Sequence, residues 1–255
     1  MKKNIIYIGD SYCASYMPGH KNPRLQPAVV YTSEPTHLNM AADELGLRLY
    51  PFGYAGRSWF YSRSQLMQTL EHYPDLINDT EAVVFFHTDA YRYNTIESAV
   101  SSSLGYGFSD PTNQFLEEPF KQWQKYLMDP TFQIWAQRAW FKEINELFPN
   151  TKKIHFNVFK DNEPNLDVLG GFVYRTPLML LSIGELEGTD QEVLDQITQD
   201  QRHNHFSREN NQVIADLVVS VVKNYFLAQQ EIDISKFKLV NPNAHKYPNP
   251  GFGTR

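Results

Sequence analysis

Short apolar runs that stop at a glycine or a polar turn, each followed by a stretch with helical spacing, recur along this sequence and constrain its fold most. Asn4–Ile8 is β-branched and ends at Gly9-Asp10, as a buried strand does. His37–Gly46 carries Leu38, Ala41, Ala42 and Leu45 at helical spacing, with Gly46 placed as a C-cap. Leu47–Phe52 reads as a second strand, followed by the turn Gly53-Tyr54-Ala55-Gly56, and Ser58–Tyr73 reads as helix. Ala82–Phe86 is the clearest buried strand. Phe132–Phe148 returns to helix, with Trp135, Ala139 and Phe148 apolar, and Pro149-Asn150 stops it. Lys153–Phe159 alternates as a strand. Ser207–Leu227 is the last long helix, with Ser207 as its N-cap and Val213, Ile214, Leu217, Val218 and Val222 on one side. Strands separated by helices imply a mostly parallel sheet covered on both faces, a three-layer α/β/α sandwich. Sites in such sheets lie beyond the carboxyl ends of the strands.

The 255 residues suit a single domain spanning 1–255, without internal repeats. Residues 18–36 are rich in Pro, Gly, Asn and Thr and read as an irregular excursion, while residues 93–130 carry Ser and Gly runs, several aromatics and two Asp-Pro pairs and read as an insertion. The tail from about 240 to 255 reads as extended. Hydrophobic content of 42% with 20% charged residues fits a folded chain rather than a disordered one. A net charge of −6 argues against a nucleic-acid or anionic-membrane partner. Cys13 is the single cysteine, so no intrachain disulfide forms. Apolar runs such as Ala82–Phe86 and Pro177–Leu181 reach about a quarter of the roughly 20 residues of a membrane span. Behind Met1-Lys2-Lys3 the apolar stretch ends at Gly9, too early for a signal peptide, so a soluble chain is expected.

Function is therefore sought in the residues just beyond each strand. Gly9-Asp10-Ser11-Tyr12 puts a serine on the turn that leaves the first one. There its hydroxyl sits at the rim of the sheet and nearby backbone N–H groups can hold an oxyanion. The plainer reading is an ordinary helix cap, and the Gly-x-Ser-x-Gly elbow is absent. A second segment raises the functional reading: Asp200-Gln201-Arg202-His203-Asn204-His205-Phe206-Ser207 stands just before the last long helix. A serine nucleophile needs a base to take its proton and an acid to orient that base, and this loop holds both residue types.

In combination these blocks resemble the SGNH (GDSL-like) superfamily of serine esterases. Gly9-Asp10-Ser11 is similar to the family's nucleophile block in residues and position. Gly53-Tyr54-Ala55-Gly56-Arg57-Ser58 resembles the second block, with Gly56 in the place of the oxyanion-hole glycine. Ser207-x-x-Asn210 through Ala215 resembles the start of the helix behind the catalytic histidine. The resemblance implies a flavodoxin-like sheet topology and an esterase acting on acyl or acetyl esters of a small molecule or glycan, without cofactor or metal. It does not indicate the oligomeric state.

Two departures stand beside it. The third block, Gly-x-Asn-Asp in the family, is here His87-Thr88-Asp89-Ala90-Tyr91-Arg92. A carboxylate at Asp89 cannot donate to an oxyanion, so Thr88 or a backbone N–H would take that role. Arg92 would hold a substrate group or, by preference, pair with Asp89. The acid and base also depart. Asp200 and His203 keep the family's spacing, but His205 is the histidine at the family's distance from the helix, and three residues before it stands Arg202. The base is placed at His205, with Asp200 reaching as acid from two residues further away than the family's spacing or with the serine and histidine working as a dyad, and His203 is the alternative base. Cys13 is expected to pack inward. His20, His37, His72, His87, His155 and His245 are scattered without the spacing of a zinc site. The competing function is a weakened SGNH-like domain that binds glycan or protein.

Overall fold

The computed structural model describes residues 3–13, 35–53, 58–87, 93–94, 101–102, 122, 126, 129–158, 170–188, 192, 205–225 and 231–241. Strand β1 is Asn4–Gly9, β2 Arg48–Gly53, β3 Thr80–His87, β4 Tyr93–Asn94, β5 Ser101–Ser102, β6 Lys152–Asn157 and β7 Phe172–Tyr174. Helices are α1 His37–Leu45, α2 Trp59–His72, α3 Leu76–Asp79, α4 Pro130–Leu147, α5 Leu178–Gly184 and α6 Arg208–Asn224. Five strands form one sheet in the order β2-β1-β3-β6-β7, every pair parallel. β4 and β5 pair antiparallel as a separate ribbon inside the stretch expected to be irregular.

Alternation along the strands divides the interior in two, because successive side chains leave a strand on opposite faces. Ile5 and Tyr7 of β1, Ala82, Val84 and Phe86 of β3, and Ile154 and Phe156 of β6 pack with Leu38 and Ala41 of α1 and Ile214, Val218 and Val222 of α6. Ile6, Ile8, Val83 and Phe85 pack on the other face with Leu66 and Leu70 of α2, Trp140, Phe141 and Ile144 of α4, and Phe148 at the C-cap of α4. Helices on both faces of one parallel sheet make the three-layer α/β/α sandwich the sequence implied. Among the described residues no helix is long and apolar enough to cross a membrane.

Helix ends obey local chemistry. Gly46 closes α1 at φ 65°, the left-handed backbone expected of it. Ser58 caps α2 by accepting from the Tyr61 N–H, and Ser207 caps α6 by accepting from the Asn210 N–H. α4 begins two residues before the expected Phe132. Its N-cap is Asp129, whose side chain accepts from the Thr131 N–H, and Pro130 is its first residue. An Asp-Pro pair that signals a loop in the sequence is thus a helix start, where proline's missing N–H costs nothing. β7 and α5 lie in a segment legible only as an apolar run, too short for periodicity to classify.

Candidate active site

The strand order runs outward in both directions from β1 and β3, so the crevice at their carboxyl ends is the topological switch point of the sheet. Ser11 stands at that point. β1 ends at Gly9, and Ser11–Cys13 form one turn of 3-10 helix. Asp10 shapes the turn: its carboxylate accepts from the Tyr12 N–H at 3.1 Å and its carbonyl from the Cys13 N–H at 2.9 Å. The Ser11 N–H takes part in neither bond. Ser62 of α2 donates its hydroxyl to the Gly9 carbonyl at 2.9 Å and pins the end of the strand.

Two glycines let the turn lie this close to the sheet. A Cβ on Gly53 would sit 2.1 Å from Cys13 Cβ and 2.9 Å from the Asp10 carbonyl. A Cβ on Gly9 would sit 2.7 Å from Cys13 Sγ and 2.8 Å from the Phe86 carbonyl. No side chain fits between β1, β2 and the serine turn. Cys13 is fully buried there, packed inward as expected, and burial pushes its thiol well above the ordinary range, away from thiolate chemistry.

His205 comes to Ser11 from the other end of the chain. Its Nε2 lies 2.7 Å from Ser11 Oγ across 194 residues of sequence. With the imidazole proton on Nδ1, the serine hydroxyl donates to Nε2, the geometry a base needs to accept that proton. The His205 ring packs 4.8 Å from the Tyr12 ring, and Phe206, buried, meets Tyr12 edge-on at 5.6 Å. Tyr12 is held in turn by Ser182 of α5. Ser182 Oγ donates to the Met179 carbonyl at 2.8 Å, so the Tyr12 hydroxyl donates to Ser182 Oγ at 3.0 Å.

His205 has φ 64°, the left-handed region that a side chain with a Cβ enters only at a cost. The segment after it is tied down heavily. Glu185, at the end of α5, accepts from the Ser207 N–H at 2.7 Å and from Asn210 Nδ2 at 2.6 Å. Asn210 Oδ1 accepts from the Lys238 N–H at 2.8 Å. Asn211 Nδ2 donates to the carbonyls of Phe206 at 3.1 Å and Ser207 at 3.0 Å, and Asn211 Oδ1 accepts from the His37 N–H at 3.1 Å. His37 closes the circuit: its Nε2–H donates to the Tyr12 carbonyl at 2.8 Å. Burial lowers the His37 imidazole to about 3, so it is neutral and has one proton to give.

A second pair of buried histidines lies on the α4 face. His155 Nε2–H donates to the Gly170 carbonyl at 3.2 Å, which leaves His155 Nδ1 to accept from His87 Nε2–H at 3.0 Å. Both rings are neutral: burial lowers His155 to about 4 and holds His87 well below the ordinary value.

Of the residues singled out in the sequence, Ser11 and His205 meet. Gly56, Thr88, Asp89, Arg92, Asp200 and His203 lie outside the described residues, as do His20 and His245. Among the described residues no three His, Cys, Asp or Glu side chains gather as metal ligands would. The sequence does not reveal Gly9 and Gly53 as spacers, Glu185 and Asn211 as anchors, or His37 as the link between the two loops. Gly53 is visible as a turn residue; nothing in spacing marks the other contacts, which are made across the fold.

Neither a protein-family model nor a curated protein matches the sequence. Among solved structures, the chain is similar to a candidate GDSL-like lipase from Parabacteroides merdae. The TM-score is 0.42 at 13% identity, over 87% of this chain and 95% of that one. A likeness at that level says nothing of activity or substrate.

Proposed function

We propose that the chain is a serine esterase that cleaves an acyl or acetyl ester, on a small molecule or a glycan. The observation that carries this reading is the 2.7 Å approach of His205 Nε2 to Ser11 Oγ at the switch point of a parallel sheet. A hydroxyl and an imidazole within hydrogen-bond reach at the mouth of the sheet have the geometry that general-base activation of a serine requires.

In the proposed reaction Ser11 Oγ attacks the ester carbonyl while its proton passes to His205 Nε2. The oxyanion is held by the N–H groups of Ser11 and Gly56, with Thr88 or a neighbouring N–H as a further donor. Collapse of the tetrahedral intermediate expels the alcohol, which takes the proton from His205. Water then attacks the acyl-serine with His205 again as base, releasing the acid. Asp200 orients the imidazole and stabilises its charged form. In this scheme Arg92 would hold a substrate group or, by preference, pair with Asp89. The scheme needs no metal or organic cofactor.

A fluorophosphonate probe tests it, because only an activated serine reacts. Labelling of the wild-type protein that disappears in Ser11→Ala is the expected result. A folded protein that takes no label between about pH 6 and 9, the range that brackets an ordinary histidine pKa, refutes the reading and favours a binding domain.

A further inference from the structure

The proposed base holds a left-handed backbone, and a cap on the helix behind it does not by itself fix where its ring points. Besides the ring contacts of His205 and Phe206 with Tyr12, a chain of buried polar contacts joins His205 to the serine turn. Asn211 is 1% exposed and His37 is fully buried, His37 stacked on Phe86 at 4.8 Å. Hiding an amide and an imidazole there is unfavourable unless each finds partners. His37 Nε2 finds the peptide carbonyl of Tyr12, next to Ser11, and Asn211 Nδ2 that of Phe206, next to His205, while His37 Nδ1 stays buried without a hydrogen-bond partner.

We propose that His37 and Asn211 are positioning residues, a buried imidazole–amide strut that holds His205 within hydrogen-bond reach of Ser11. The path runs from the Tyr12 carbonyl to His37 Nε2–H, along His37 to its own backbone N–H, to Asn211 Oδ1, and from Asn211 Nδ2 to the Phe206 carbonyl. The Ser11–His205 contact closes it into a ring. The His37 N–H is one of the donors that the first turn of α1 leaves without a helical acceptor, so the strut also completes that helix. Neither residue touches the reacting atoms. Both act through the two backbones that carry them, and a misplacement of about 1 Å is enough to cost about 10²-fold in rate.

The role of the strut in turnover rests on the esterase reading, so the test has a kinetic arm and a geometric arm. In the first, His37→Leu and His37→Gln are compared on a small aryl ester after folding is verified by near-UV circular dichroism. Leucine removes the donor to the Tyr12 carbonyl, while glutamine offers an amide N–H at similar reach. The expected result is a loss of about 10²-fold in kcat for His37→Leu with KM within about twofold, and recovery to within about fivefold in His37→Gln. Equal kcat in folded His37→Leu and wild type overturns the strut and leaves the esterase intact.

The geometric arm is a crystal structure of Asn211→Leu beside the wild-type protein. The strut predicts that the wild-type separation of 2.7 Å between Ser11 Oγ and His205 Nε2 opens past hydrogen-bond range in the variant. An unchanged separation refutes it. If the wild-type enzyme shows neither turnover nor labelling, the esterase reading fails and this arm alone decides the strut. Should Asn211→Leu not fold, the same measurement is made on His37→Gln and His37→Leu, with contact kept in the first and lost in the second.

Discussion

Among the described residues three imidazoles sit neutral in the interior: His37 beside the serine turn, and the hydrogen-bonded pair His87 and His155 between the sheet and α4. Acidification should therefore unfold this protein earlier than its carboxylates alone require. In the unfolded chain each histidine binds a proton at its ordinary value, 6.5, whereas in the fold burial lowers His37 to about 3 and His155 to about 4 and depresses His87 well below 6.5. The unfolded state thus binds more protons below 6.5, so stability is complete above that value and declines as pH falls toward the folded values. At pH 5 His37 and His155 each forgo about 2 kcal/mol relative to neutral pH, and His87 adds to this in the same direction. About 4 kcal/mol from two groups is a large part of a typical domain's 5–15 kcal/mol. Urea denaturation followed by tryptophan fluorescence at steps from about pH 7.5 to 5 reads the effect directly. His37 and His155 alone should take up about two protons on unfolding near pH 5, a slope of about 3 kcal/mol per pH unit, and His87 adds in the same direction. A slope below about one proton over that range would refute the reasoning, and so would an unaltered slope in a folded His155→Gln variant.

The two candidate bases separate by kinetics. His205→Ala should cost about 10³-fold or more in kcat, comparable to Ser11→Ala, and His203→Ala less than about tenfold. The reverse ranking would move the base to His203. Gly53→Ala forces a Cβ to 2.1 Å from Cys13 Cβ, against two backbones that cannot yield cheaply. It should destabilise by about 1–3 kcal/mol and lower turnover, and a wild-type urea midpoint would contradict the close approach. Glu185→Ala strips the Ser207 N–H and Asn210 of their carboxylate. A loss of about 1–3 kcal/mol is expected, measurable as a fall in melting temperature, because the part-buried Ser207 N–H and one of the Asn210 amide hydrogens lose their acceptor. Gly56→Ala should lower kcat by about 10²-fold if its N–H serves the oxyanion, and near-wild-type turnover would remove it from the site.

Sequence alone determined the layers of this protein. Continuous apolar runs and three-to-four-residue periods are written locally, so β1, β3, α1 and α6 are legible in Asn4–Ile8, Ala82–Phe86, the His37 segment and the Ser207 segment. Caps are local as well: Gly46 and Ser207 close and open their helices by contacts within a few residues. Asp129-Pro130 misleads because one dipeptide signals both a loop and a helix start, and only the continuing helix distinguishes them. β7 has three residues, too few for any period to show. The Gly-Asp-Ser turn and the histidine-bearing loop stand out by residue type, but their meeting belongs to the fold. The strand order that makes β1 and β3 the switch point depends on which strands pair, and pairing is decided by how two cores fill at once. The strut through His37 and Asn211 is beyond any periodicity, because a buried polar residue is indistinguishable in sequence from an exposed one. Only when α1, α6 and the serine turn pack together do His37 Nε2 and the Asn211 amide meet their partners, and with them a task.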